Sequence, residues 1–162
     1  MSYQGQPLAL VPIEVSTVEA GNAEQFDALS SSALRLVGLT EEVTVPCMTL
    51  PWQVAQKLHA VTAAMTPPRT NDRAHDLVDL QLVEALLVDD DLAATPLAGI
   101  AVFASRAQQA WPLTIIAQPH WTPIYSGALA GLDHLDLAET VEEAAVRVQQ
   151  FVARIDAAQQ RW

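Results

Sequence analysis

Residues 51–65 read PWQVAQKLHAVTAAM and residues 68–82 read PRTNDRAHDLVDLQL, and the period of these two stretches points to a helical protein. In the first, Val54, Leu58, Val61 and Met65 recur at i, i+4, i+7 and i+11, the stripe of an amphipathic helix, with Pro51 suited to its first turn. Thr66-Pro67-Pro68 stops it. In the second, Asn71 is the expected cap of a helix running to about Val88, apolar nearly all round and therefore deeply buried. Asp89-Asp90-Asp91 is expected to break that helix, and Thr95-Pro96 to start a third, through Phe103 to about Gln109. Trp111 to Trp121 holds two prolines and reads as a loop or extended arm. A short helix follows from Pro123 and ends near Gly131, and Asp136 with Glu139 makes a capping-box-like start for the last one. Its stripe is Leu137, Val141, Ala144, Val148, Phe151 and Ile155.

Before Thr49 the pattern is extended. Leu8 to Ser16 (LALVPIEVS) is β-branched, and Pro12 suits an edge strand or a strand start. Alternation sets Val11, Ile13 and Val15 on one face and Leu10, Glu14 and Ser16 on the other. Gly21 to Ser32 reads as a loop with a helical turn, and 34–39 and 43–48 as two more short strands. The expected class is α+β, mostly α. Short N-terminal strands in residues 1–49 pack on a bundle of about five helices in 50–162.

The 162 residues suffice for one domain with a real core, and 51% apolar against 17% charged residues excludes a disordered polyampholyte. Apolar runs are too short to span a bilayer, and Met1 to Gln6 lacks the pattern of a secretory signal. A lone cysteine, Cys47, fits a cytoplasmic setting. The net charge of −11 opposes non-specific attraction to nucleic-acid phosphates, so any such contact must be local. Seven of the eight basic residues are Arg, and the only lysine is Lys57.

At 100° per residue, Asp76 heads the stripe Leu80, Val83, Leu87, with Asp79 on the adjoining face and Arg73 on the other flank. A carboxylate in line with buried aliphatics is costly to desolvate unless a cation meets it, and the candidates are Arg69, Arg73 and Lys57. Lys57 borders the Val54/Leu58 stripe, whereas His59 falls on the far side and is expected to be exposed. Two readings stay open here: an ion-pair cluster tying two helices together, or a charged site. His59, His75, His120 and His134 lack metal-ligand spacing. Ser126-Gly127 is no nucleophile elbow, and Trp111, Trp121 and Trp162 suit the sealing of a bundle better than base stacking.

Gln53–Thr62 (QVAQKLHAVT) followed by Pro68–Leu82 resembles the signature of the AbiEii/AbiGii-type nucleotidyltransferase toxins, an A-E-K-L-H-A helix and then R-x-K-D-x-x-D-L. The matching residues are Lys57, Arg73, Asp76 and Asp79; Gln56 replaces the usual Glu, and His75 the usual basic residue. More weakly, Pro12–Ser16 resembles a strand bearing a metal-binding carboxylate, which gives Glu14 that role, and Phe103–Arg106 with Trp121 and Tyr125 resembles the helical tail.

The resemblance implies nucleotidyl transfer from an NTP (GTP is one candidate) with Mg²⁺ bridging its phosphates. Lys57 and Asp76 would be catalytic, with Lys57 and Arg73 binding nucleotide and Asp79 and Arg69 supporting them. It also implies a toxin–antitoxin or abortive-infection role with a cognate antitoxin, and a tRNA acceptor. The family's G-S followed by D-x-D is missing; Asp89-Asp90-Asp91 follows a helix and lacks the glycine turn. The chain is therefore expected to correspond to a C-terminal two-thirds that needs an N-terminal segment for activity. The alternative is a non-catalytic helical module that binds the antitoxin or forms a homodimer through an exposed apolar patch.

Overall fold

The structure is a computed structural model that describes residues 2–3, 6–7, 26–31, 43–106, 111 and 113–159. Among the described residues, four strands, β1 (Ser2–Tyr3), β2 (Gln6–Pro7), β3 (Phe26–Ser31) and β4 (Val43–Met48), precede five helices. The helices are α1 (Leu50–Thr62), α2 (His75–Glu84), α3 (Asp89–Arg106), α4 (Thr122–Leu129) and α5 (Val141–Gln159). The class is as expected, mostly helical with short antiparallel pairs β1–β2 and β3–β4. The predicted strands at 8–16, which carries Glu14, and 34–39 lie outside the described residues.

The β3 strand corrects the loop expected over 21–32. Its residues pair from Phe26 with Met48 to Ser31 with Val43, and this non-local pairing outweighs the turn-prone serines. Phe26, Leu29 and Val45 are exposed.

In α1, Val54, Leu58 and Val61 are buried as the stripe requires, but the helix ends at Thr62 and leaves Met65 exposed. Asn71 explains the early end and corrects its expected role. Its Nδ2 donates to the carbonyls of Ala60, Val61 and Ala63 at 2.9, 3.2 and 3.0 Å, so it closes α1 instead of opening α2. Its Oδ1 accepts the Arg73 amide, and its own carbonyl accepts the indole N–H of the fully buried Trp121.

The second helix is shorter than expected, beginning at His75 and ending at Glu84, with Val83 and Leu87 only half-buried. The acidic triplet starts α3 rather than stopping α2, because three carboxylates in a first turn favour the helix dipole. Thr95 and Pro96 therefore lie inside α3, where the Thr95 hydroxyl donates to the Asp91 carbonyl at 2.7 Å. Against α3, the ring of Trp111 comes so close to Gly99 that a Cβ there would meet its Cε3 at 2.7 Å.

The last helix opens one turn later than expected. Thr140 and Glu143, not Asp136 and Glu139, exchange the two capping-box hydrogen bonds, each at 3.2 Å. From there Val141, Ala144, Val148, Phe151 and Ile155 face the core with Leu58, Leu77, Leu80 and Phe103. No helix among the described residues is long and apolar enough to cross a membrane.

Candidate functional site: an ion-pair cluster between two helices

The first two helices present one charged cluster. Asp76 is fully buried in the first turn of α2, and both its oxygens meet cations. Lys57 Nζ lies 3.1 Å from Oδ1, and Arg73 Nε lies 2.7 Å from Oδ2. Lys57 also donates to Asp79 Oδ2 at 2.6 Å. The half-exposed His75 lies farther off, 3.9 Å from Asp76 Oδ1. Lys57, Arg73, Asp76 and Asp79 thus come together, while Arg69 stands apart in the wall of a neighbouring cavity.

The electrostatics of Lys57 follow from this arrangement. Burial works to lower its pKa, but hydrogen bonds and charge attraction from Asp79 and Asp76 together outweigh that and raise it above 10.5. A cation with a raised pKa makes its contribution below its unfolded value and loses it only as pH rises through the folded one. Lys57 is therefore charged throughout the neutral range and serves as a fixed positive charge, not as a base. An ammonium has three donors, and two are engaged by the aspartates.

Two cavities open beside this cluster. The smaller, about 210 Å³, is lined by Gln53, Gln56, Lys57, Ala60, Arg73 and Arg106. The larger, about 860 Å³, shares Ala60, Arg73 and Arg106 with it and adds Arg69. Four of the eight Lys and Arg residues of a chain with net charge −11 line these two cavities. Among the described residues, no Asp or Glu lines either one.

Arg106 is the member that sequence reasoning missed. It ends α3, and its guanidinium meets His59 Nδ1 at 2.9 Å. His59 is itself a correction: it is 6% exposed, because α3 covers that side of α1 and Phe103 packs edge-on against its ring. A basic residue in the last turn of a helix reads as a dipole partner, and only the packing of α3 on α1 carries it to the site.

The model of the AbiEii family, described as the nucleotidyl transferase AbiEii toxin of type IV toxin–antitoxin systems, matches residues 2–161. The chain belongs to this family. No curated protein matches it. Membership in the AbiEii family agrees with the resemblance read from 53–62 and 68–82, and it makes the chain a relative of toxins from toxin–antitoxin pairs. Among the described residues of this AbiEii chain, no group of three His, Cys, Asp or Glu could hold a metal ion. The carboxylates of Asp76 and Asp79 already face ammonium and guanidinium, so the cluster does not suit a resident metal.

Proposed function

We propose that this chain binds a nucleoside triphosphate as its Mg²⁺ complex, GTP or ATP, and contributes the triphosphate-holding part of a nucleotidyl transfer. The observation that carries the reading is the gathering of Lys57, Arg73, Arg106 and Arg69 on two adjoining cavities of a strongly acidic protein, with no Asp or Glu among the described lining residues. In such a transfer the acceptor hydroxyl gives up its proton to solvent as its oxygen forms a bond to the α-phosphorus, and the bond from that phosphorus to pyrophosphate breaks. Negative charge grows on the leaving pyrophosphate, and fixed cations stabilise it best when they need no rearrangement. Lys57 fits that role through its remaining N–H donor. Arg73 fits it through its guanidinium, since only Nε is engaged by Asp76.

Asp76 then acts as a positioning residue that holds both cations, with Asp79 completing the grip on Lys57. The divalent ion is assigned to the substrate complex, because Asp76 and Asp79 already face cations. No G-S followed by D-x-D stands in the sequence, so binding is expected from this chain and efficient transfer is not, unless a segment bearing those carboxylates joins it. An acceptor such as tRNA would meet net repulsion elsewhere and would approach at these cavities. A cognate antitoxin is the partner that family membership favours.

Calorimetric titration tests the binding. Mg·GTP or Mg·ATP is expected to bind the wild type, and Lys57→Ala to weaken that affinity about tenfold, or roughly 1.4 kcal/mol. Equal affinities would contradict the role given to Lys57.

A further inference from the structure

The larger cavity differs in chemistry from the smaller. Beyond the shared Ala60, Arg73 and Arg106, its wall continues through Ala63, Ala64, Met65, Pro67 and Pro68 and closes with His59 and Arg69. Arg73 and Arg106 thus line both cavities together with Lys57's neighbour Ala60, and the larger one adds an apolar wall with Arg69 beside Pro68.

We infer that the larger cavity is the nucleoside subsite, in which the base lies against Met65 and the Pro67-Pro68 wall while the triphosphate runs past Arg73 and Arg106 to Lys57. This rests on the triphosphate reading above. Three features argue for a base here. A pocket of about 860 Å³ is in the range that accepts a drug-sized ligand, where mostly apolar walls carry a few polar groups. Thioether sulfur and guanidinium groups pack favourably on aromatic faces, and Met65 and Arg69 supply one of each. The two cavities adjoin through the shared Ala60, Arg73 and Arg106, so one ligand with an anionic and an aromatic end can lie across these residues.

Tripolyphosphate, which has the anionic end alone, separates the two ideas. On the wild type, Mg·GTP or Mg·ATP is expected to bind about tenfold tighter than Mg·tripolyphosphate, the difference being the buried base. Ala64→Leu narrows the cavity and Met65→Ser removes part of its wall. Both positions are exposed and follow the end of α1, so thermal denaturation should show intact folds. Each variant is expected to lose the nucleotide's advantage and to keep the wild-type affinity for tripolyphosphate. If tripolyphosphate binds but nucleotide gains nothing over it, or if both variants retain the full advantage, the subsite is overturned and the triphosphate reading stands. If tripolyphosphate does not bind the wild type at all, the triphosphate reading fails and the subsite fails with it.

Discussion

Asp76 and Gln81 lie little more than a helical turn apart on α2, both are buried, and they have opposite surroundings. Gln81 belongs to a closed network. Its Nε2 donates to the Leu77 carbonyl and the Tyr125 hydroxyl, its Oε1 accepts the Ala138 amide, and Tyr125 donates to the Ala138 carbonyl at 2.7 Å. Burial raises the Tyr125 pKa above 10.0, which keeps the phenol a neutral donor. Asp76 belongs to an open cluster whose cations, Lys57 and Arg73, reach the wall of a cavity with donors to offer. A closed polar network fixes how helices pack, whereas an open one with surplus donors can also take a ligand.

Two substitutions test that contrast. Asp76→Ala is expected to have the larger effect, lowering stability by about 2–3 kcal/mol in urea denaturation. That is less than the removal of one partner from a fully buried pair, because both cations retain access to water. It should also weaken Mg·tripolyphosphate binding, since Lys57 and Arg73 lose their common anchor. Tyr125→Phe is expected to lower stability by about 1–2 kcal/mol and to leave tripolyphosphate affinity unchanged. If Tyr125→Phe weakened binding as much as Asp76→Ala did, the distinction between the closed and the open network would collapse.

The same contrast explains what could be read from sequence. Lys57, Arg73, Asp76 and Asp79 were legible because helical periodicity places them, and a carboxylate in line with Leu80 must find a cation. The stripe of α5 was legible for the same reason. Asn71 was misread because an amide can close one helix as readily as it opens the next, and only the distance from residue 60 to residue 71 in space decides. The α5 cap was displaced because Asp136/Glu139 and Thr140/Glu143 both fit the pattern, and the burial of Val141 selects the second. Strand β3 and the reach of Arg106 depend on partners distant in the chain, β4 and α1, which local propensity does not report.

Because Lys57 is the only lysine in the sequence, its ammonium can be watched alone. Protein labelled with ¹⁵N at the lysine Nζ should give one side-chain ammonium resonance, slowed in exchange by Asp76 and Asp79. Added Mg·GTP or Mg·ATP is expected to shift that resonance progressively to saturation. A resonance that stays in place while the nucleotide binds would show that the phosphates do not meet Lys57, and would contradict the assignment of this cluster as the triphosphate site.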